Sequence, residues 1–451
     1  MNEIELSNSL RKDALYLFEE GIKSVKPERL IKNHFIVAED KVIISDVNTN
    51  TEKFYLDEFE KVFVIGAGKA SAAMASELEK ILSDKIDSGV VVTKYGFGVD
   101  LKRIELIEAG HPLPDENGVI AADKIKRLCS KAGEKDLIIN LLSGGASSLL
   151  PSPANGISLE EKIKTTELLL NSGATIDEIN TIRKHISKIK GGQLMQAAYP
   201  ATVISLIISD VIGDDPGIIG SGPFVPDDTT FSDCLNILTK YNLVSSVPSA
   251  VLQYLTDGNK KHETPSTENP IFSKTNDFII GNNLICLNHI KETAQNFGYN
   301  SKILNTHVSG EAKQVGADIA TDAIEFFEHG AEIGKKYCLI YGGETTVHVD
   351  GTGKGGRNQE LALSAAIELN GVKGISLLSG GTDGNDGPTD AAGAYCDWKT
   401  LERAEALKLD AKGYLSNNDS YNFFSKLNDL IITGPTKTNV MDIQIVLINK
   451  F

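Results

Sequence analysis

Short apolar runs that end in Gly, Ser or Asp recur along this chain, and segments of helix length separate them. The runs lie at residues 61–65, 136–142, 203–209, 337–340 and 375–378. Continuous apolar strands followed by Gly-rich turns and helices are typical of parallel sheets that helices cover on both faces. The pattern therefore predicts an α/β protein of the doubly wound type.

The length of 451 residues allows two large domains. The best candidate for a domain break is the segment DGNKKHETPSTENP at residues 257–270, which is polar and contains Pro. A surface loop inside one domain would have the same composition. We expect one domain over residues 1–262 and a second over residues 263–451.

Composition excludes several functional classes. The formal net charge is −16 and no long basic run occurs, so nucleic acid is not expected as the main partner. No apolar stretch is long enough for a transmembrane helix, and the acidic N-terminus is unlike a signal peptide. The five scattered cysteines, without a CxxC pair, suggest buried thiols in a reducing compartment. We therefore expect a soluble cytoplasmic protein that binds neither nucleic acid nor membranes.

The motif VIGAGKASAAMA at residues 64–75 reads as a strand, a tight turn and an Ala-rich helix. Ser71 stands where the dinucleotide fingerprint has its third Gly or Ala, and the spacing is not that of a Walker A loop. Lys69 at the helix start opposes the helix dipole, which an anion bound between the turn and this lysine would explain. A surface lysine after a turn is the alternative. The candidate phosphate-binding residues of this turn are Gly66 and Gly68.

A second turn, LLSGGASSLLPSP at residues 141–153, combines small residues with hydroxyls. Its glycines let backbone amides converge and its serines add donors, as in anion-binding nests. Ser147 as an acyl nucleophile is a competing interpretation, although the pattern is not the GxSxG elbow. A plain strand-to-helix turn is also possible. The candidate substrate-binding or phosphate-binding residues are Ser143, Gly144, Gly145, Ser147 and Ser148.

Two further motifs follow in this half of the chain. The stretch INTIRKHISKIKGG is locally basic, and Arg183 and Lys190 are its candidate phosphate-binding residues, with a solvated helix face as the alternative. In SLIISDVIGDDPGIIGSGP, Asp210 ends an apolar strand, the place where doubly wound folds carry functional residues. Asp210 is a candidate base or metal ligand, or it caps the next helix.

The motif YGGETTVHVDGTGKGGRNQELAL at residues 341–363 has a Gly-rich loop before a helix. We expect a flexible loop that includes Gly355 and Gly356 and brings Arg357 and Asn358 to the helix start. Arg binds phosphate and carboxylate bidentately, so an anion is expected there. A Gly-rich hairpin with a solvated arginine is the alternative. Glu344, at a strand end, is a candidate metal ligand.

Acidic residues crowd another Gly-rich loop, SGGTDGNDGPTDAAGA at residues 379–394. Asp383 and Asp386 are candidate Mg²⁺ ligands, because this ion takes one or two carboxylates together with substrate phosphates. Asp-Gly turns without a metal would have the same composition. Near the end of the chain, Lys437 precedes a final strand and is a weak candidate for phosphate binding.

These motifs together supply Gly/Ser turns for anions, cations at helix starts and carboxylates for Mg²⁺. That is the inventory of phosphoryl transfer, in which catalysis consists mostly of positioning and charge neutralisation. From the residues alone we predict ATP- and Mg²⁺-dependent transfer to a small anionic acceptor.

The motifs also closely resemble those of the class II glycerate kinase family, whose C-terminal half is the MOFRL domain. The segments that carry the resemblance are GAGKASAAMA, GHPLPDENG, LLSGGASSLL, SDVIGDDPGIIGSGP, GGRNQELAL, SGGTDGNDGPTDAAGA and GPTKTNVMDIQ. The resemblance implies an N-terminal Rossmann-like three-layer domain and a C-terminal α/β domain with a mixed sheet. It implies phosphorylation of D-glycerate by ATP, in most members at the 2-hydroxyl.

Lys69, Asp210 and Arg357 match the catalytic positions proposed for that family. In our interpretation Lys69 and Arg357 neutralise the moving phosphoryl group and the glycerate carboxylate, and Asp210 orients or deprotonates the hydroxyl. Because some members are called hydroxypyruvate reductases, an NAD(P)H-dependent reductase is the alternative, and a non-catalytic metabolite sensor is a third. Phosphorylation at the 3-hydroxyl, and a monomer or a homodimer, stay open.

Overall fold

The computed structural model describes residues 2–39, 41–258 and 263–450. The chain divides into two compact units, which we call the central unit (Leu30–Ile280) and the terminal unit (Met1–Arg29 with Gly281–Phe451). These bounds differ from the expected ranges 1–262 and 263–451. Residues 259–262, on one side of the expected break, lie outside the described residues.

The N-terminal helix explains why the first residues join the terminal unit. Helix α1 (Glu3–Ser24) begins with a capping box between Asn2 and Glu5. Its apolar face, including the fully buried Phe18, packs on elements of the terminal unit. The Tyr299 hydroxyl donates a 2.6 Å hydrogen bond to Asp13 on the same helix. An amphipathic helix requires a partner surface, and its partner lies far along the sequence.

The central unit is built on a six-stranded sheet of described strands, in the order β6-β5-β4-β7-β8-β9. Neighbouring strands from β6 to β8 run parallel. Counted from β4, this is the 3-2-1-4-5-6 order of doubly wound folds, whose switch point lies between the first and fourth strands. The six strands are β4 (Lys61–Ala67), β5 (Ser88–Lys94), β6 (Ile104–Ala109), β7 (Asp136–Ser143), β8 (Thr202–Ile208) and β9 (Thr275–Gly281).

Every residue of β7 is buried, which accounts for its continuous apolar sequence. A small antiparallel sheet precedes the main one, formed by β1 (Phe35–Ala38), β2 (Lys41–Ser45) and β3 (Thr51–Tyr55). The helices are α2 (Pro27–His34), α3 (Ser71–Leu82), α4 (Glu116–Cys129), α5 (Ala146–Leu149), α6 (Leu159–Asn171), α7 (Ile176–His185), α8 (Gln193–Ala198), α9 (Phe231–Lys240) and α10 (Ser249–Asp257).

The terminal unit contains a mixed sheet whose six described strands follow the order β10-β11-β15-β12-β13-β14. Only the β10–β11 pair in that described sheet is parallel. Its strands are β10 (Tyr299–Val308), β11 (Lys336–Gly343), β12 (Ile375–Gly381), β13 (Gly393–Asp397), β14 (Leu430–Ile431) and β15 (Asp442–Asn449). Its other helices are α11 (Asn283–Asn296), α12 (Ala312–Glu325), α13 (Arg357–Glu368), α14 (Thr400–Ala406), α15 (Ala411–Ser416) and α16 (Ser420–Leu427).

The prediction of an α/β fold with a doubly wound sheet and a mixed second sheet is confirmed. All five cysteines are buried and free, as the sequence suggested. Among the described helices, none combines the length and the apolar character needed to cross a membrane.

Candidate active site

Two turns meet at the switch point of the central sheet. The turn after β4 carries Lys69, and the turn after β7 carries Gly144 and Gly145. The Lys69 amide donates to the Gly144 carbonyl at 2.9 Å, and the Ala70 amide donates to Ser143 Oγ at 3.0 Å. These bonds join the two predicted anion-binding turns into one structure, at the edge where doubly wound folds bind ligands.

The glycine at position 68 is required by this close approach. Its φ is +135°, and a Cβ there would lie 2.1 Å from Ser143 Oγ. Ser71, the residue that departs from the dinucleotide fingerprint, donates its hydroxyl to the Leu141 carbonyl at 2.9 Å. The observed reason for Gly68 and Ser71 is therefore contact between β4 and β7, and phosphate binding by Gly66 and Gly68 stays a prediction.

His111, which no motif singled out as a candidate, lies against the turn after β7. A Cβ on Gly145, whose φ is +85°, would lie 2.9 Å from the His111 ring and 3.5 Å from Lys69 Cγ. The imidazole and the Lys69 side chain therefore flank the same turn. The histidine belongs to the GHPLP segment after β6, which carries part of the family resemblance but no local pattern that indicates a binding residue.

A cavity of about 250 Å³ in the central unit, which we call the basic pocket, lies between α5, α6 and the segment after α7. Lys190 reaches into it and donates to Ser147 Oγ at 3.0 Å and to the Gly220 carbonyl at 2.9 Å. Both acceptors are neutral. The polar side chains that line the pocket include Ser147, Ser148, Lys162, Arg183 and Lys190.

The cations of the basic pocket are not matched by carboxylates. Lys190 and Lys162 are both buried, and Lys162 donates to the Ile186 carbonyl at 3.0 Å. In the described parts of the chain, the Arg183 guanidinium makes no hydrogen bond or ion pair, and neither lysine is paired with a carboxylate. Glu167 also lines the pocket, but it is exposed.

The unmatched cations of the basic pocket affect the pKa values of its lysines. Burial lowers the pKa of Lys190 well below its usual range, and the nearby charges of Lys162 and Arg183 lower it further. Burial, with a smaller effect of Arg183, also lowers the pKa of Lys162 to about 7. An anion in the pocket would reverse these shifts, because an opposite charge favours the charged form of each group. The arrangement is therefore suited to a small anion.

The cations of the basic stretch differ in their surroundings. Arg183 and Lys190 line the pocket, and their role in phosphate binding stays a prediction, whereas Lys184 forms an ion pair with Asp227 at 3.2 Å. His185 is buried between the Thr181 carbonyl and Glu263. Lys162 was not predicted, since a lysine in the middle of α6 has no local pattern that distinguishes it from a solvent-facing one.

Asp210 lies two residues beyond the end of β8. Because β8 runs parallel to β7, Asp210 is at the same edge of the sheet as the two turns. The structure therefore brings Lys69, Ser143 and Asp210 to one edge, in agreement with the expected position for functional residues.

Arg357, the third predicted catalytic residue, belongs to the terminal unit and is already paired. Its Nε and Nη2 bond the two oxygens of Asp442 at 2.6 and 2.9 Å, and its Nη1 lies 2.7 Å from Glu344. Burial alone would lower the pKa of Arg357, but the Asp442 and Glu344 carboxylates raise it above its usual range. The charge that was expected to meet a substrate anion is balanced by protein carboxylates.

The backbone amides at the start of α13 are already bonded to a carboxylate of the protein. The Asp386 carboxylate accepts the amides of Asn358 and Gln359 at 3.1 and 2.9 Å. Burial raises the pKa of Asp386 to about 6, against the opposing effect of these amide bonds. Asn358 in turn accepts a 2.7 Å hydrogen bond from Ser379. Asp386 and Asn358 therefore stabilise the helix start, which was expected to bind an external anion.

The Gly-rich loop before α13, expected to be flexible, is held by many hydrogen bonds. The amides of Asp350 and Gly351 donate to Asn418 Oδ1, and the Gly353 amide donates to the Asn417 carbonyl. A Cβ on Gly356 would lie 2.3 Å from Asp386 Cγ. Close packing, more than mobility, explains these glycines, and phosphate binding by Gly355 and Gly356 stays a prediction.

Two of the candidate metal ligands, Glu344 and Asp383, follow the ends of β11 and β12, and both strand ends pair with Asp442 of β15. Glu344 pairs with Arg357, and the Asp383 carboxylate accepts the Asn385 amide at 3.0 Å. The Thr436 amide bonds the Asp383 carbonyl at 3.2 Å, so the segment that carries Lys437 runs beside the acidic loop. Within the described ranges, no three His, Cys, Asp or Glu residues form a metal-binding group. Since Mg²⁺ needs only one or two carboxylates when phosphates complete its shell, Asp383 and Glu344 still fit that role.

Comparison with known proteins identifies the family. Residues 13–256 match DUF4147, described as a domain of unknown function, and residues 337–442 match the MOFRL family. The chain is 42% identical to D-glycerate 2-kinase of Thermotoga maritima, over 98% of this chain and 99% of that protein. It is 41% identical to glycerate 2-kinase of Pyrococcus horikoshii, over 99% of both. It is also 46% identical to a putative hydroxypyruvate reductase of Agrobacterium vitis, over 85% of this chain and 98% of that one.

Two solved structures are similar to this chain over nearly its whole length. The crystal structure of a Thermotoga maritima glycerate kinase superposes with a TM-score of 0.82 at 40% identity, over 98% of this chain and all of that chain (100%). A Pyrococcus horikoshii protein gives 0.79 at 41% identity, over 98% and 99% of the two chains. The chain therefore belongs to the glycerate kinase family that combines a DUF4147 domain with a MOFRL domain.

Proposed function

We propose that this protein is a D-glycerate 2-kinase, which transfers the γ-phosphoryl group of ATP to the 2-hydroxyl of D-glycerate and releases ADP and 2-phosphoglycerate. Full-length relatives with this name support the reaction. The observation that carries the proposal to this chain is the basic pocket, in which Lys162, Arg183 and Lys190 converge without a matching carboxylate. The acceptor carries a carboxylate and the product adds a phosphate, so both are suited to such a site.

In this proposal the residues at the central sheet edge perform the chemistry. Asp210 orients the 2-hydroxyl and accepts its proton as the phosphoryl group arrives. Lys69, at the joined turns, neutralises charge on the transferred group, with hydroxyl and amide donors from Ser143 and Gly144. Lys190 and Arg183 hold the acceptor carboxylate, with Ser147 and Ser148 as hydroxyl donors.

Residues of the terminal unit would hold the metal. When bound, Mg²⁺ neutralises charge on the nucleotide phosphates, and Asp383 and Glu344 are the carboxylates that would bind it. The charge of Arg357 is neutralised by Asp442 and Glu344. We therefore propose that the main role of Arg357 is to position Glu344. The start of α13, where Arg357 lies, is supported by Asp386, Asn358, Gly355 and Gly356. Lys437 would donate an additional hydrogen bond to a phosphate.

The test is to mix the purified protein with ATP, Mg²⁺ and D-glycerate and to follow the products by phosphorus NMR. A 2-phosphoglycerate signal with ADP is the expected result, and a 3-phosphoglycerate signal would refute the position of transfer. The name of the Agrobacterium vitis relative makes hydroxypyruvate reduction the second candidate. Oxidation of NADH by hydroxypyruvate in a parallel assay, with no ADP formed from ATP, would replace the kinase with the reductase.

A further inference from the structure

A second cavity lies within the terminal unit and has a different chemical character from the basic pocket. Its volume is about 500 Å³, and it lies beside the Gly-rich loop and the first turn of α13. Apolar side chains form much of its wall, including Val347, Val349 and Pro388. Val349 is 69% exposed, so a bound ligand can reach its side chain.

Two buried polar atoms of this cavity lack a hydrogen-bond partner in the described structure: Glu360 Oε1 and Thr345 Oγ1. Both residues line the cavity, and only 2% of Glu360 and 3% of Thr345 is exposed. Buried polar atoms are nearly always hydrogen-bonded in native proteins, because an unpaired one loses its interaction with water without compensation. The two atoms therefore indicate a ligand with hydrogen-bonding groups.

The orientation of Glu360 is determined by its other oxygen. Glu360 Oε2 accepts a 3.0 Å hydrogen bond from Asn418 Nδ2, and Asn418 Nδ2 also lies 3.3 Å from the His348 carbonyl. Asn418 Oδ1 accepts the amides of Asp350 and Gly351, so the side-chain amide cannot turn over without losing these bonds. Glu360 Oε1 is consequently the oxygen left for a ligand that donates an N–H.

The charges around this cavity disfavour an anionic group as the ligand. Glu344 and Glu360 line it, and Arg357 is balanced by Asp442 and Glu344. The amides at the start of α13 are occupied by Asp386. A neutral group with flat apolar faces could pack against the apolar walls. If one edge of that group carries an N–H and a hydrogen-bond acceptor, it could also pair with both Glu360 Oε1 and Thr345 Oγ1.

From this geometry we infer that the terminal-unit cavity binds the purine base of the phosphoryl-donor nucleotide, with a base N–H donated to Glu360 Oε1 and the Thr345 hydroxyl on a ring nitrogen. The inference rests on the proposed kinase function, because it presupposes a nucleotide donor. An adenine base carries the required donor in its amino group, whereas hypoxanthine has a carbonyl oxygen at the same position.

The variant Glu360→Gln tests this pairing without changing the size of the side chain. Asn418 Nδ2 retains the amide oxygen, so the amide nitrogen takes the place of Oε1 and a donor replaces an acceptor. We would measure ADP and IDP binding to the full chain by calorimetry at pH 8. The wild type should bind ADP at least about tenfold more tightly than IDP, and the variant should reverse or abolish that preference. An unchanged ratio of the two dissociation constants would overturn the inference.

A pair of surface variants tests the apolar wall. Val349→Asp should weaken ADP binding about tenfold, because it places a charged carboxylate in the apolar wall against which the base is expected to pack. Ile333→Asp is the matched control, since Ile333 is 78% exposed in the same unit and does not line the cavity. Equal effects of the two substitutions would count against the cavity. Circular dichroism of each variant checks that it is folded.

The outcomes separate this inference from the proposed function. If ADP binding and phosphoryl transfer persist but neither Glu360 nor Val349 affects nucleotide binding, the cavity assignment is wrong and the kinase stands. If ADP binds with the expected dependence on Glu360 and no glycerate is phosphorylated, the cavity stands and the kinase does not. If no nucleotide binds, both are overturned.

Discussion

The Lys190 ammonium donates a 3.0 Å hydrogen bond to the Ser147 hydroxyl, across 43 positions of the sequence. Neither partner carries a negative charge, and the remaining acceptor of Lys190 within 3.0 Å in the described structure is the Gly220 carbonyl. Burial in such surroundings lowers the pKa of Lys190, and an anion bound beside it would favour the charged form. We therefore expect an anionic substrate that binds beside this pair to favour the charged form of Lys190.

The substitution Lys190→Met should decrease kcat/KM for D-glycerate by about 100-fold, because it removes a charge-assisted hydrogen bond to the substrate. The free energy of unfolding should stay the same or rise, since a buried cation is replaced by an apolar side chain of similar length. Steady-state kinetics and urea unfolding measure the two effects. Lys188→Met, in the same segment, is the control, and an equal loss of activity in that variant would contradict the assigned role of Lys190.

The pKa of Lys162, lowered to about 7 by burial, predicts a pH dependence of stability. Between pH 7 and the usual lysine pKa, the unfolded chain binds more protons at this position than the folded chain. The contribution of Lys162 to the free energy of unfolding should therefore rise with pH above 7. The rise should be about 1.4 kcal/mol for each pH unit between the pKa of the folded state and that of the unfolded state.

Urea unfolding at pH 7 and pH 9 tests this dependence in the wild type, Lys162→Met and Lys164→Met. The increase in stability should be smaller in Lys162→Met than in the wild type. Lys164 is exposed on the same helix, so its substitution should leave the increase unchanged. Identical pH dependence in all three proteins would show that Lys162 is charged normally in the folded state.

Asp210→Asn should reduce kcat by about 100-fold or more with a smaller change in KM, since loss of a general base affects the transition state more than substrate binding. The measurement is initial-rate kinetics with varied D-glycerate. Asp257→Asn, at the exposed end of α10, should leave both constants unchanged. Undiminished turnover in Asp210→Asn would remove Asp210 from the chemistry.

Arg357→Met should destabilise the protein by about 3–5 kcal/mol, because it leaves the fully buried Asp442 carboxylate without its bidentate partner. Adding Asp442→Asn should recover part of that loss by removing the buried charge. Denaturant unfolding of the single and double variants gives both differences. A single variant as stable as the wild type would mean that the pair contributes little in the folded state.

The sequence predicted the elements of the sheet edge well. The residues of β4 and β7, and the turns at Gly68 and Ser143, follow from continuous apolar runs and from glycines, which are local signals. The family resemblance followed from the same local motifs. The side-chain partners were not accessible in this way: Arg357 and Asp442 are 85 positions apart, and nothing local shows that they pair.

The basic pocket and the start of α13 also combine features that the sequence indicates with contacts that it does not. The sequence identified Arg183, Lys190, Ser147 and Ser148 as candidates, but the basic pocket also needs Lys162, whose position in α6 reads as an ordinary polar site. Asp386 was predicted as a metal ligand, which stays a prediction, and in the structure its carboxylate accepts two amides at the start of α13. A carboxylate in a Gly-rich loop suits both roles, and the contact with the helix start could not be read from the sequence.

By itself, the sequence determined the α/β class, the positions of the strands and turns, and the family, because these depend on local patterns of apolar residues, glycines and charges. Only the tertiary structure decided that α1 joins the terminal unit, that β9 completes the central sheet, and which charges are paired and which are unmatched. Those outcomes depend on contacts between residues far apart in the chain, where burial determines the energy of a charge and no local pattern records its partner.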